Sequence, residues 1–181
     1  NIYKELQDKG IFESYEVEIG RLARENDKVS PQNILNDAQK KAFEEIKDSF
    51  RQKNVTLLHG VTSAGKTEIY IHLITEALER GEQVLFMLPE IALTKQITER
   101  LRRVFGNKIG VYHSKFSDAE RVEIWKKQLS DEPYEIILGV RSSLFLPFKK
   151  LGLIVVDEEH ENSYKQQDPA PRYNARNAAI V

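Results

Sequence analysis

The sequence predicts an open α/β domain, a mostly parallel sheet with helices on both faces. Three observations carry this. Short apolar runs alternate with longer stretches of helical periodicity. Two of the runs, 135–139 and 153–157, are nearly continuous in apolar residues, the pattern of strands covered on both faces. A glycine-bearing turn and an acidic cluster each follow directly on such a run. That is the carboxyl end of a strand, where open α/β sheets bind their ligands.

Residues 1–9 read as the end of a helix closed by Gly10. Phe12, Tyr15, Val17 and Ile19 alternate with Glu13, Glu16 and Glu18, which suggests a strand. Residues 21–33 are polar, hold Pro31 and lack periodicity, as a linker does. In 37–51, Ala38, Ala42, Phe43, Ile46 and Phe50 share one helical face. A strand is predicted at 55–59, then a helix at 66–80 stopped by Gly81. Strands at 84–88 and 109–113 flank a helix at 93–105. The helix at 117–129 opens on Ser117-Asp118-Ala119-Glu120, a capping box. The last residues, around Ala178 to Val181, look helical again. Both ends fall inside patterns, so the chain is predicted to be a piece of a longer protein. Residues 1–32 are assigned to the tail of a preceding domain plus linker, and 33–181 to the α/β domain.

Composition narrows the function. The chain has 181 residues, 40% hydrophobic and 30% charged, which suits one domain with a core. Its longest wholly apolar run is strand-sized, far from the ~20 residues of a membrane span, and no signal peptide is visible. No cysteine occurs, which excludes disulfides and thiolate metal sites in this stretch and fits a cytoplasmic location. The net charge of −1 argues against a protein that coats nucleic acid nonspecifically. Local basic patches are the alternative. Residues 95–108 carry Lys95, Arg100, Arg102, Arg103 and Lys108 against Glu99 alone, a cluster that also suits an ordinary solvated helix face.

Gly60-Val61-Thr62-Ser63-Ala64-Gly65-Lys66-Thr67 fits G-x-x-x-x-G-K-[ST] between a predicted strand and a predicted helix. Small residues let such a loop wrap a phosphate in backbone N–H groups, at the positive end of the following helix. Lys66 then reaches the β and γ phosphates of ATP, and the Thr67 hydroxyl serves Mg²⁺. Asp157-Glu158-Glu159-His160 ends an apolar strand. An Asp there holds Mg²⁺ and the next acid, Glu158, orients and deprotonates water. His160 is either a hydrogen-bonded surface residue or a sensor of the γ-phosphate site.

The loop together with the acidic box resembles superfamily 2 helicases and translocases of the DEAH type, and identifies the domain as a RecA-like P-loop NTPase lobe. Three further stretches resemble the first motor lobe of the primosomal replication-restart helicases, the PriA family. They are Leu88-Pro89-Glu90-Ile91-Ala92-Leu93-Thr94, Gly139-Val140-Arg141-Ser142-Ser143-Leu144-Phe145-Leu146-Pro147-Phe148, and Glu161 to Gln167 followed by Pro171-Arg172-Tyr173-Asn174-Ala175-Arg176. The likeness runs over about 33–181. Val140 stands where the family more usually has Thr, and Asn174 where it often has His. Residues 1–20 are similar to the end of the winged-helix DNA-binding domain that precedes the motor in that family.

The resemblance implies roles. Gln39 would read the adenine edge, although Asn36 and Gln39 also suit a helix cap. Thr94, Arg141 and Ser142 would touch the DNA backbone. Tyr164, Lys165, Arg172, Tyr173 and Arg176 mix aromatic rings with cations, which suits single-stranded DNA, and the family uses this segment to couple DNA to hydrolysis. It further implies 3′ to 5′ unwinding of forked DNA or single-strand/duplex junctions. Partners would be a second RecA-like lobe, primosome proteins and single-stranded DNA-binding protein, with zinc only in a downstream part and no membrane. Without the second lobe, weak binding and poor turnover are expected. Rival readings are a DNA-repair translocase of the same superfamily, a nucleotide-gated scaffold without turnover, and, least suited, a small-molecule P-loop kinase.

Overall fold

The computed structural model describes residues 29–60, 65–89 and 95–181. The helix and strand expected within 1–20 lie outside the described residues, as do Val61, Thr62, Ser63, Ala64 and Thr94.

Helix α1 (Asp37–Phe50) is closed at its start by a full capping box between Asn36 and Gln39. Helix α2 (Lys66–Glu79) begins directly behind Gly65. Strand β1 (Gln83–Met87), α3 (Lys95–Phe105) and β2 (Ile109–Tyr112) follow. Helix α4 (Asp118–Leu129) carries the predicted Ser117/Glu120 capping box. Strand β3 (Ile136–Gly139) leads into a 3-10 turn, Arg141–Phe145, and then β4 (Leu151–Val156). A second 3-10 turn, Asn162–Tyr164, and the short α5 (Ala175–Ala178) complete the described chain.

The sheet runs β2-β3-β1-β4 and every pairing is parallel, as expected. Strand β1 lies at its centre, pairing Val84 with Ile136 on one side and with Leu153 on the other. Its alternate residues serve two cores. Val84 and Phe86 pack with Ile71, Ile74 and Ala77 of α2 and Leu101 of α3. Leu85 and Met87 face the other way, onto Ile124 of α4, Ala175 of α5 and Tyr164. Helix α1 docks on the outside of α2 through Phe43, Ile46, Ile69 and Leu73.

One predicted strand is corrected. Residues 55–59 join no sheet. Val55 is 50% and Leu57 71% exposed, while Leu58 alone turns toward the cores. These residues and the outer edge of β4 line opposite parts of one cleft of about 1170 Å³ instead of pairing. An apolar run becomes a strand only where a neighbour supplies its hydrogen bonds. Two cations of the basic cluster have local partners. Arg100 is hydrogen-bonded to Glu68, and Lys108 lies 2.9 Å from Glu135. No described helix is long and apolar enough to cross a membrane.

Phe86 is wholly buried at the centre of the first core. Phe86→Ala is expected to cost about 3–5 kcal/mol in a denaturant titration. A loss below about 1 kcal/mol would contradict the layered packing described above.

Candidate active site

The site forms where α2 begins and β4 ends. Gly65 has φ +76°, a left-handed conformation natural to glycine, and it turns the chain into α2. A Cβ there would also strike the Gln39 side-chain amide. Gln39 spends both ends of that amide. Its oxygen accepts from the Asn36 N–H at 2.9 Å, and its nitrogen donates to the Gly65 carbonyl at 3.2 Å. The capping role foreseen for Gln39 is therefore present, and the same side chain bolts the start of α1 to the phosphate loop.

Lys66 Nζ donates to the Gly60 carbonyl at 2.8 Å, which turns the lysine back toward the first residue of the motif. Thr67 follows, half-buried in the first turn of α2. One turn further on from Lys66, Tyr70 reaches Asp157. Its hydroxyl donates to Asp157 Oδ1 at 3.4 Å. Tyr70 went unnoticed in the sequence, although the i, i+4 spacing from Lys66 puts both on one helical face.

Asp157 is placed by β1, since its N–H donates to the Met87 carbonyl at 3.0 Å. Burial pushes its carboxyl above the ordinary aspartate range, and the adjacent Glu158 charge adds to this; a backbone hydrogen bond from Glu158, the Lys66 charge and the Tyr70 hydroxyl oppose it. Burial and Asp157 together push the Tyr70 phenol upward as well. Glu158 has φ +47°, a left-handed backbone that glutamate seldom adopts. Such a conformation costs about 1–3 kcal/mol and persists only where neighbours enforce it. His160 Nε2 lies 3.8 Å from Glu158 Oε2, with a side chain 69% exposed.

Lys66, Tyr70, Asp157, Glu158 and His160 all line the cleft described above, with Gly60 at its rim. Among the described residues no group of three or more acids or histidines could hold a metal unaided. One carboxylate, one threonine hydroxyl and a lysine suit instead a hard divalent cation that arrives on phosphates and keeps much of its water.

The segment behind the acids differs from its expected form. Tyr164 is 1% exposed, so its ring has no surface on which a base could stack. Its hydroxyl sits 2.6 Å from the Asp157 carbonyl and 3.0 Å from that of Met87. Arg141 donates to the Ser163 carbonyl at 3.1 Å, and Arg176 lies in an ion pair with Glu159 at 2.5 Å. Beyond Tyr164 the chain makes a small hairpin, with Lys165 bridged to Asn174 and the Gln166 N–H donating to the Tyr173 carbonyl. Lys165 and Arg172 are exposed on it. Tyr173 packs edge-on against the exposed ring of Phe145, centroids 5.0 Å apart, beside half-buried Ser142.

Residues 36–178 match the DEAD/DEAH box helicase family. The chain belongs to that family. Among curated helicase relatives, it is 43% identical over 148 residues to replication restart protein PriA of Bacillus subtilis (strain 168), covering 81% of this chain and 18% of that protein. It is 50% identical over 147 residues to replication restart protein PriA of Rickettsia conorii, covering 81% and 22%. The PriA of Helicobacter pylori (strain ATCC 700392 / 26695) is 45% identical over 148 residues, covering 82% and 23%. The chain thus spans under a quarter of the length of these relatives. In fold it is similar to the ATP-dependent Type ISP restriction-modification enzyme LlaBIII bound to DNA. The TM-score is 0.57 at 17% identity, over 89% of this chain and 12% of that one. Membership in the helicase family carries with it the use of ATP.

Proposed function

We propose that this chain is the first ATP-binding lobe of a replication-restart DNA helicase. The observation that carries the reading is the single cleft in which Lys66 meets Asp157 and Glu158. Bound Mg-ATP supplies the phosphoanhydride bond to be broken. The chain supplies the rest. Lys66 leaves the Gly60 carbonyl to hold the β and γ phosphates, while Thr67 and Asp157 hold the magnesium. Glu158 orients a water and takes its proton on the carboxylate. Gln39 reads the adenine edge through its amide, and His160, resting against Glu158, reports the γ-phosphate site to a second lobe.

The DNA contacts are Thr94, Arg141, Ser142, Lys165, Arg172, Tyr173 and Arg176. Backbone phosphates meet the cations, and the paired rings of Phe145 and Tyr173 meet bases. The substrate is a fork or single-strand/duplex junction, unwound 3′ to 5′ in the cytoplasm. Primosome proteins and single-stranded DNA-binding protein are the partners. This follows from the likeness to the restart proteins, whose sequences exceed this chain several-fold.

Calorimetric titration of Mg-ADP and Mg-ATP into the chain tests the central point. Saturable binding with one site is expected. A folded chain that takes up neither nucleotide at millimolar concentration would sink the proposal.

A further inference from the structure

Glu158 holds a left-handed backbone at the position where the proposed hydrolysis needs a carboxylate most. What enforces it is held by the peptide that precedes it. The φ angle of Glu158 is set by rotation of the Asp157–Glu158 peptide, and the carbonyl oxygen of that peptide receives the Tyr164 hydroxyl at 2.6 Å. The same hydroxyl sits 3.0 Å from the Met87 carbonyl, which also accepts the Asp157 N–H at 3.0 Å. Tyr164 has one proton for two carbonyls, and the shorter contact takes the larger share.

The chain between them closes on itself. Glu161 N–H donates to the Glu158 carbonyl at 2.9 Å, and Tyr164 N–H to the Glu161 carbonyl at 3.3 Å. Arg141, from the turn after β3, grips this loop at the Ser163 carbonyl. Tyr164 is therefore the one fully buried side chain in a tight ring that contains Glu158 and touches the exposed hairpin on its far side.

We propose that Tyr164 is a positioning residue. Its hydroxyl locks the Asp157–Glu158 peptide plane against the end of β1 and so aims the Glu158 carboxylate into the cleft. The inference rests on Glu158 acting on water as proposed above, and it adds the element that fixes its direction.

Tyr164→Phe keeps the ring and removes only the donor. In the variant, hydrogen exchange at the Glu161 amide is expected to quicken at least about tenfold, with the β1 amides unchanged. Measured in the full-length protein, second lobe included, the KM for ATP stays within about threefold while kcat falls by about tenfold to a hundredfold, the cost of a misplaced reacting group. Phe105→Leu, a core change on the opposite face of the sheet, is the reference for lost stability alone and leaves kcat in place. The lock is refuted if Tyr164→Phe retains parental kcat and Glu161 exchange, or if Phe105→Leu lowers kcat as much. Should Phe be refused at 164, the parent protein still decides. A slowly exchanging Tyr164 hydroxyl proton is expected, and its absence refutes the lock. A parent that neither binds nor hydrolyses ATP speaks against the role of the acids themselves. A parent that hydrolyses, beside an indifferent Tyr164→Phe, speaks against the lock alone.

Discussion

Lys66→Ala is expected to weaken Mg-ADP and Mg-ATP binding at least about 100-fold while leaving the fold intact. The ammonium now holds the Gly60 carbonyl at 2.8 Å, in the cleft that Asp157 and Glu158 also line. Charge-assisted bonds to two phosphates contribute about 1.5–3 kcal/mol each, and each 1.4 kcal/mol is about tenfold in affinity. The folded state loses little. Lys66 is only half-buried, alanine favours helix, and a cation in the first turn opposes the helix dipole by about 0.3–1 kcal/mol. Two opposite shifts should therefore appear in one thermal-melting experiment. The free variant melts no more than slightly below the parent, and the rise in Tm that nucleotide gives the parent is gone. A variant that keeps the nucleotide-induced rise would remove Lys66 from the site.

Glu158→Gln separates binding from chemistry. Glutamine fills the same volume but offers no basic oxygen to the water. Hydrolysis is expected to fall about 10²–10⁴-fold, the range general-base catalysis supplies. Affinity for Mg-nucleotide holds or tightens. The Glu158 charge is one of the causes that hold the Asp157 carboxyl up, so its removal favours the ionised aspartate that magnesium needs. Phosphate release and equilibrium binding, measured on the same preparation, check both halves. Unchanged hydrolysis would move the proton-accepting role elsewhere and revive a scaffold that binds nucleotide without turning it over.

The pieces of this site differed in how plainly the sequence announced them. The phosphate loop and the acidic box are local. Their residues are neighbours in the chain, and the strand or helix beside each sets their geometry. Ser117 and Glu120 were legible for the same reason, since a cap spans three residues. Tyr164 was not. Beside Lys165 and near Arg172 it has the company of a base-stacking ring, yet one of the two carbonyls its hydroxyl meets, that of Met87, is 77 residues away. Only the return of the chain across the end of β1 turns the ring inward. Residues 55–59 mislead for a related reason. Their composition is that of a strand, but strand formation depends on a hydrogen-bonding neighbour that composition does not reveal. Gln83 is a third case. A glutamine at the head of an apolar strand looks like a surface residue, whereas it is buried and ties Tyr134 and Lys149 to β1 through both ends of its amide.

The all-parallel sheet also sets a timetable. Strand β1 has no partner close in sequence, because Val84 pairs with Ile136 and with Leu153. During synthesis the phosphate loop, α2 and β1 leave the ribosome first. The entirely buried residues of β1 must then wait, both edges open, until α3, β2, α4 and β3 have been made, and longer still for β4. Such distant pairings fold slowly and leave sticky edges exposed meanwhile. The acids that ride on the end of β4 join the lysine only when that strand docks, so a nascent chain carries the lysine without the acids until β4 has been made.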